Sequence, residues 1–244
     1  IGLIYALIII FKFKIMNDIT FIVAVRKGSK RVKNKNIRKF GNSSLLEIKL
    51  KQVRRVFKKA PLLLSSDCKK SLRLGRKFNA IINHRNKKYT NNKIPMPKVY
   101  KYLASLIKTK YVCYLHVTSP FLRDDSLRKA IKIFFNKVKN SKIDCLATTT
   151  PLKEYLWFKK KAVNYNPKRH PRSQDLKEVL SLNFAINIVK TDFMRKKGRI
   201  TSDNYYSFPL RFPETIDIDN KWQFLIGDFI QKNKNFFSNL DNDD

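Results

Sequence analysis

The chain has 244 residues, with 53 Lys and Arg against 18 Asp and Glu, which gives a formal net charge of +35. This length suffices for one large domain, or a domain with a sub-domain, around a full hydrophobic core. The 43% of hydrophobic residues excludes a disordered basic tail. The positive charge suggests nucleic acid or an anionic surface as a partner. However, Lys outnumbers Arg 38 to 15 and is spread along the chain, so we expect most of this charge to be compositional background and expect no nucleic-acid partner.

The cysteines and the first residues bear on the compartment. Cys68, Cys113 and Cys145 are far apart in sequence and form no C-x-x-C motif, a pattern typical of cytoplasmic proteins. Residues 1–15 begin with an apolar run that is too short to cross a bilayer and has no basic segment before it. We therefore predict a cytoplasmic protein without a membrane partner, in which residues 1–15 are a non-native or upstream extension and Met16 is the natural start.

The first half of the chain alternates apolar runs with amphipathic segments. Residues 19–25 form a continuous apolar, largely β-branched run, which is typical of a buried parallel strand. Ser43 or Ser44 can cap a helix that carries Leu46 and Leu50 on one face. The same patterns predict strands at residues 61–65, 80–82, 111–117 and 145–149, and helices at residues 67–78, 99–107 and 124–138.

The second half interrupts and then resumes this alternation. Residues 151–182 are rich in Lys, Pro and aromatic residues, and we interpret them as an inserted arm or sub-domain. Strands are predicted again at residues 184–189, 205–212 and 215–219, and residues 233–244 are predicted to be an acidic tail. A final helix is predicted with one apolar stripe, formed by Trp222, Leu225, Ile226, Phe229 and Ile230.

This order of elements predicts an α/β fold with a mostly parallel sheet flanked by helices, in a domain built from residues 16–150 and 183–232. Ligands of such folds bind at the carboxyl ends of the strands. The loop at residues 26–36 follows the first strand and contains a glycine. Its exposed backbone N–H groups, together with Arg26, Lys30 and Lys35, would hold a polyphosphate, although the loop lacks the Walker A pattern. A solvated lysine-rich loop is the alternative.

Two carboxylates stand out because the chain has only 14 Asp and 4 Glu. If residues 215–219 form a strand, Asp217 and Asp219 point to the same face, and near bound phosphates they would form a Mg²⁺ site. The alternative is that Asp219 caps the final helix while Asp217 pairs with a lysine.

Polar residues also follow the strand at residues 111–117. His116, Thr118, Ser119 and Arg123 could orient a polar ligand there, although His116 could equally be a structural histidine. Nothing in the sequence supplies Ser119 with a His/Asp relay, so a serine hydrolase is not indicated.

These segments, in this order, resemble motifs of the N-acylneuraminate cytidylyltransferases, also called CMP-sialic acid synthetases. The resemblance covers nearly the whole folded chain. The matching residues are Arg26, Ser29, Lys30, Lys35 and Asn36 in the opening motif, Ser65, Ser66 and Asp67 after the second strand, residues 116–123, Ser173, Gln174, Asp175 and Leu176, residues 183–186, and residues 215–220.

The resemblance implies a nucleotide-diphospho-sugar transferase-like, Rossmann-like fold and a reaction between CTP and a sialic-acid-like (nonulosonic) 2-keto sugar acid that gives the CMP-sugar and pyrophosphate. It implies a homodimer formed through residues 151–182, and Mg²⁺ as cofactor on Asp217 and Asp219. The implied catalytic residues are Arg26, Lys30, Lys35 and the two aspartates. The nucleotide would contact Arg26, Ser29, Lys30, Lys35, Asn36 and Ser66. The sugar acid would contact His116, Thr118, Ser119, Gln174 and Asn183.

Departures from the family pattern fall on the sugar side. His116 replaces a Gln, Asn187 stands where Tyr is usual, and Ser181 where Arg is usual. The acid could therefore be legionaminate-like, pseudaminate-like or octulosonate-like. The alternatives are a 3-deoxy-manno-octulosonate-type cytidylyltransferase, a homologue that binds without turnover, and a non-catalytic nucleic-acid-binding protein on the same scaffold.

Overall fold

The computed structural model describes residues 17–91, 93–140, 143–234 and 236–237. The predicted extension at residues 1–15, Met16 and the acidic residues of the predicted tail lie outside the described residues. Within the described part, no helix is both long enough and apolar enough to cross a membrane.

A seven-stranded sheet forms the centre of the fold, with two short two-stranded sheets beside it. The strands are β1 (Ile19–Ala24), β2 (Lys39–Phe40), β3 (Ser43–Ser44), β4 (Leu62–Ser66), β5 (Ile81–His84), β6 (Tyr111–Leu115), β7 (Cys145–Leu152), β8 (Trp157–Phe158), β9 (Lys161–Ala162), β10 (Val179–Lys190) and β11 (Tyr205–Pro209).

The large sheet has the order β11-β7-β10-β6-β1-β4-β5. β1 pairs in parallel with β4 on one side, where Phe21 is opposite Leu62, and with β6 on the other, where Phe21 is opposite Cys113. β10 runs antiparallel to both of its neighbours, β6 and β7. The prediction of a mostly parallel, Rossmann-like sheet is therefore confirmed, and the carboxyl ends of β1, β4 and β6 lie at one edge.

Helices cover both faces of this sheet. They are α1 (Leu45–Val56), α2 (Lys69–Lys77), α3 (Met96–Ser105), α4 (Asp124–Asn140), α5 (Thr191–Lys197) and α6 (Lys221–Lys232). Alternate β1 residues enter different hydrophobic clusters: Phe21 packs with residues of α1 and α4, and Ile22 packs with residues of α3 and α5. Since successive strand side chains point to opposite faces, the two clusters lie on the two sides of the sheet.

Helix α1 shows how closely the local sequence sets an element. Ser44 is its N-cap, with extended backbone, and its hydroxyl accepts a hydrogen bond from the Glu47 N–H at 3.2 Å. Leu46, Leu50 and Val53 are fully buried on one face, as their spacing predicts.

The prediction of a strand at residues 215–219 is wrong. This segment has no regular secondary structure. Turns precede it, with the Glu214 N–H bonded to the Arg211 carbonyl and the Ile216 N–H bonded to the Pro213 carbonyl. The Ile218 N–H then donates to the Thr118 carbonyl at 2.8 Å. The chain has left the sheet by this point, so these backbone groups bond to turns and to a loop instead of to a neighbouring strand.

The prediction that the last helix buries an apolar stripe is wrong for four of its five residues, and only Ile230 among them is buried. Trp222, Leu225, Ile226 and Phe229 are exposed, whereas Phe224, Gly227 and Ile230 are buried. Gly227 explains the choice of face, since a Cβ added there would lie 2.8 Å from Ile218 and 3.0 Å from the ring of Phe40. Helix α6 therefore packs through the face that contains Gly227, Phe224 and Ile230, and the other four large apolar side chains face outward.

Residues 153–178 stand outside the large sheet, between β7 and β10. They contain the β8–β9 hairpin and a short helical turn, Ser173–Asp175. Asn164 is 5% exposed and joins three parts of the segment: it accepts a hydrogen bond from the Leu156 N–H and donates to the carbonyls of Glu154 and Lys177. The large aromatic side chains of the hairpin, Trp157 and Phe158, are exposed.

Candidate active site

The loop after β1 is fixed at both ends. Gly28 has a φ of +79°, in the left-handed region that a residue without a Cβ adopts readily. The Lys27 N–H donates to Asp67 Oδ1 at 2.6 Å, and Asn36 Nδ2 donates to the Arg26 carbonyl at 3.3 Å. These bonds tie the loop to the end of β4 and to its own beginning.

This loop borders a cavity of about 590 Å³ at the carboxyl ends of β1 and β6, a volume typical of small-molecule sites. The residues predicted from sequence that line it are Arg26, Ser29, Lys30, Lys35, Asn36, His116 and Thr118. Arg31 and Arg85 add further positive charge to its wall. The cavity is therefore suited to a polyanion.

Lys35 connects the loop to the aspartate segment. Only 8% of this lysine is exposed, and its Nζ donates to the Ile218 carbonyl and, at 3.3 Å, to Asp219 Oδ1. Arg31 donates to the same carboxylate oxygen at 2.9 Å. Two cations of the first loop thus hold a carboxylate that lies more than 180 residues further along the chain.

Asp217 lies beside Asp219 in a more buried environment. Burial raises the pKa of its carboxyl above the ordinary value, and the charge of Asp219 adds to this, while a hydrogen bond from Thr118 and the charges of Lys35 and Arg31 act in the opposite direction. Its Oδ1 is buried and has no hydrogen-bond partner. A buried oxygen of this kind is the group that a bound cation would satisfy.

The alternative that Asp219 caps the last helix is wrong. Asn220 is the N-cap of α6, with Gln223 completing a capping box, so the Asp219 carboxylate is available for Lys35 and Arg31. Among the residues that the structure describes, no three or more His, Cys, Asp or Glu side chains cluster closely enough to hold a metal alone. Asp217 and Asp219 are not among the residues that line the cavity, and Lys35 and Arg31 connect its wall to the Asp219 carboxylate. Two carboxylates nevertheless fit Mg²⁺, which usually takes one or two carboxylates together with substrate phosphates.

His116 is held neutral in the cavity wall. Burial, together with the charges of Lys49 and Lys35, lowers the pKa of its imidazole to about 4, while the charge of Asp219 acts in the opposite direction. Its Nε2 is buried without a hydrogen-bond partner. The Nε2 atom of a neutral imidazole at this position can form one hydrogen bond with a ligand.

Several predicted site residues are not brought to this cavity. Ser66 is fully buried and its hydroxyl accepts from the Cys68 N–H at 3.1 Å. Ser119 is 2% exposed, with its carbonyl turned to Lys49. Gln174 is on the exposed turn outside the sheet, and Asn183 donates to Thr150 Oγ1 at 3.0 Å.

Arg123 and Asn187 have structural partners as well. The guanidinium of Arg123 pairs with the buried carboxylate of Glu214, which also accepts from the Arg123 backbone N–H at 2.8 Å. Asn187 is fully buried and its Nδ2 donates to Thr201 Oγ1 at 2.9 Å. These two side chains hold loops and strands together.

Arg85 is a site residue that the sequence analysis missed. It follows β5, is 5% exposed, and lines the cavity. Its Nε donates to Ser65 Oγ at 3.0 Å and its Nη2 to the Ser65 carbonyl at 2.8 Å. Burial lowers the pKa of this guanidinium. The available signal was a basic residue at the carboxyl end of a strand.

Lys49 was also missed, and it lies beneath the same site. Its side chain is fully buried, and its Nζ donates to Gln52 Oε1 at 2.8 Å and to the Ser119 carbonyl at 3.1 Å. Burial lowers its pKa to about 7. A lysine inside the apolar stripe of α1, next to Leu46 and Leu50, was the sequence signal.

Comparison with known proteins identifies the enzyme class. A family model described as cytidylyltransferase matches residues 20–193. The chain belongs to the cytidylyltransferase family. Its members are nucleotidyltransferases, so the prediction of this enzyme class from the motifs is confirmed, as is the resemblance on which it rested.

Two kinds of relative accompany the family match. The cytidylyltransferase is 23% identical, over 90% of its length and 97% of the other chain, to the post-translational flagellin modification protein B of Campylobacter coli. Among solved structures, it resembles a CMP:2-keto-3-deoxy-manno-octonic acid synthetase complexed with CTP, at a TM-score of 0.63 and 9% identity over 89% of this chain and 99% of that chain. It also resembles a 4-diphosphocytidyl-2C-methyl-D-erythritol synthase from Anaerococcus prevotii, at a TM-score of 0.64 and 14% identity over 88% of this chain and 97% of that chain. At these identities the two structures show a shared fold.

Proposed function

We propose that this cytidylyltransferase activates a sialic-acid-like (nonulosonic) 2-keto sugar acid with CTP, giving the CMP-sugar and pyrophosphate. The observation that carries the proposal is the pairing of two loops: the cationic loop after β1 lines a cavity and binds, through Lys35 and Arg31, the segment that holds Asp217 and Asp219. This arrangement combines cations for a triphosphate with carboxylates for a metal ion.

The chemistry assigned to the cavity is a substitution at the α-phosphorus of CTP. The anomeric hydroxyl forms a new P–O bond, the P–O bond to the β-phosphate breaks, pyrophosphate leaves with the electron pair, and the hydroxyl proton is released. Such transfers are accelerated mainly by positioning and by charge neutralisation. Arg26 and Lys30 bind the triphosphate, while buried Lys35 keeps the loop and the aspartate segment in register.

Mg²⁺ would be held by Asp217 and Asp219. The unpartnered Oδ1 of Asp217 supports this assignment, since a buried carboxylate oxygen without a donor is able to bind a cation. When bound, the ion would neutralise charge on the phosphates and on the departing pyrophosphate. Lys35 and Arg31 orient the Asp219 carboxylate for this role.

Two observations support the proposed class of sugar acid, one from a relative and one from the cavity wall. The name of the Campylobacter coli relative refers to flagellin modification, and we assign this chain to the supply of a sugar donor for the same kind of glycan synthesis. His116 is neutral and has an unpartnered Nε2, so it suits a hydroxyl or an amide of the acceptor. Thr118 lies next to it in the cavity wall.

We also assign a homodimer to the protein, formed through the segment at residues 151–182. In this segment Trp157 is 55% exposed and Phe158 67%, and Val163 is exposed beside them. Exposed apolar side chains grouped on one small hairpin support a surface that another chain covers.

The test of the proposed function is pyrophosphate release from CTP with a panel of acids: N-acetylneuraminate, a legionaminate, a pseudaminate and 3-deoxy-manno-octulosonate. With Mg²⁺ present we expect turnover with at least one nonulosonic acid, at a kcat/KM at least tenfold above that for the octulosonate. A preference for the octulosonate would replace the proposed substrate class with the eight-carbon acid. Absence of release with every acid, while CTP binds, would contradict the proposal.

A further inference from the structure

Phe184 has an unusual backbone for an aromatic residue in a central strand. Its φ is +57°, in the left-handed region where a Cβ collides with the neighbouring carbonyl. It lies in β10 where the pairing with β7 loses register between Leu182 and Asn187. The other described non-glycine residues with positive φ are Asn34 and Asn79, a residue type that tolerates this conformation, and Lys159, Lys160 and His170, which are exposed in the segment outside the large sheet.

Hydrogen bonds of the residues on both sides of Phe184 fix its strained backbone conformation. The Asn183 side chain accepts from the Ala185 N–H at 3.2 Å and donates to Thr150 Oγ1. One residue further on, the Ile186 N–H donates to Thr148 Oγ1 at 3.0 Å. Side chains of β7 thus replace the backbone bonds that the break in register removes. Strain that the surrounding structure fixes in this way is typical of functional positions.

The ring of Phe184 belongs to a wall of aromatic side chains. It lies 6.0 Å from the His116 ring, which lies 5.1 Å from Tyr114, and Tyr114 meets Tyr100 edge-on at 5.7 Å, all as centroid distances. Tyr114 and His116 line the 590 Å³ cavity of the cationic loop. Tyr100 and Phe184 line a second cavity of about 500 Å³. The four rings therefore connect the lining of one cavity to the lining of the other.

The second cavity combines apolar and hydroxyl-bearing residues. Its wall includes the apolar residues Pro97, Leu182 and Ile200 and the hydroxyl-bearing residues Thr201, Ser202 and Tyr205. Arg199 and Asp203 pair with each other at 2.7 Å, so this cavity has no excess of the positive charge found in the first. Its lining suits a neutral substituent that has both a polar and an apolar part, such as an N-acyl group.

We propose that Phe184 is a specificity-determining residue for the acceptor sugar acid. The strained backbone places its ring at the end of the aromatic wall, beside His116, where the ring limits which substituent of the acid extends from the nucleotide cavity towards the second cavity. The inference rests on the proposed function, since it concerns the acceptor of that reaction. It assigns no role in CTP binding to Phe184.

The test compares three variants with the unchanged protein. Phe184→Gly removes the ring and relieves the strain, and Phe184→Leu keeps a smaller apolar side chain in case the glycine variant folds poorly. Asn79→Gly relieves a left-handed φ of +50° at the end of α2, at a residue that lines neither cavity, and is the matched control. For each protein, the KM for CTP, the kcat/KM for every acid of the panel, and the binding of each acid to the CTP-loaded protein are measured.

We expect Phe184→Gly to change the ratio of kcat/KM between acids with and without N-acyl groups by tenfold or more, mainly through the KM for the acid, with the KM for CTP within twofold. Phe184→Leu should change it less, and Asn79→Gly should leave it unaltered. If the unchanged protein converts an acid and this ratio does not move, or if the KM for CTP moves as much, the inference alone is overturned. If neither the unchanged protein nor the variants bind or convert any acid, the inference falls together with the proposed function.

Discussion

Replacing Asp219 by Asn should lower kcat by about 100-fold or more, the size of effect seen when one group that stabilises transition-state charge is removed. The amide keeps the size of the side chain but is a poor Mg²⁺ ligand. It also loses the ion pairs with Arg31 at 2.9 Å and Lys35 at 3.3 Å. The measurement is pyrophosphate release at a series of Mg²⁺ concentrations.

The Mg²⁺ series separates two roles of Asp219. If the carboxylate binds the metal, half-maximal activity of Asp219→Asn should require a Mg²⁺ concentration at least tenfold higher, and Asp217→Asn should behave in the same way. If Asp219 only fixes Lys35, kcat falls but the Mg²⁺ dependence does not move. Asp125→Asn is the control, because this exposed aspartate pairs with Arg128 on α4 at 2.7 Å and lines neither cavity. Normal turnover of Asp219→Asn would remove the metal assignment.

Replacing Lys49 by Met should change how the free energy of unfolding depends on pH. The pKa of Lys49 is lowered to about 7 by burial, whereas a lysine in an unfolded chain titrates near 10.5. Between these values the unfolded state binds more protons than the folded state, so the stability that comes from this group rises with pH. Below about pH 7 the lysine is charged in both states and its contribution is constant.

The expected size follows from about 1.4 kcal/mol for each pH unit in that window. From pH 7 to pH 9 the unchanged protein should gain about 2 kcal/mol of stability relative to Lys49→Met, measured by urea unfolding at each pH. Lys51→Met is the control, since Lys51 lies on the same helix but is half exposed and pairs with Glu47. Parallel stability curves for the unchanged protein and Lys49→Met would contradict the assignment of a titrating buried lysine.

Local signals predict much of this fold. The apolar run at β1 and the Ser44 cap of α1 are each set by residues near in sequence, and both occur close to the predicted positions. The cationic loop after β1 likewise follows from its glycine and its place at the end of a buried strand. Each of these features depends on a few consecutive residues, which the sequence displays directly.

The features that the sequence did not predict depend on distant partners. The face that α6 buries is decided by the close approach of Phe40 and Ile218 to Gly227, which no periodicity in α6 itself reveals. Lys49 can be buried because the Ser119 carbonyl, 70 residues away, accepts a hydrogen bond from its Nζ. Ser66 was assigned to the nucleotide from its motif, yet its hydroxyl is fully buried and caps a turn.

Only a part of the positive charge of the chain is placed at the candidate site in the folded protein. Of the 53 basic residues, a small set lines the cavity, and two of these, Lys35 and Arg31, are held by one carboxylate. Because acidic residues are scarce, Asp217 and Asp219 stand out from the sequence alone. Asp219 contacts Arg31 and Lys35 of the first loop, and this contact shows which of the many basic residues belong to the site.

The most direct test of cytidylyl transfer is the fate of labelled phosphorus. CTP carrying the label at the α-phosphate, incubated with Mg²⁺ and the best acid of the panel, should give a labelled CMP-sugar and unlabelled pyrophosphate, whereas CTP labelled at the γ-phosphate should give labelled pyrophosphate and an unlabelled sugar product. Label from the γ-position in the sugar product, or CMP and pyrophosphate formed without any sugar conjugate, would contradict transfer of the cytidylyl group to the acid.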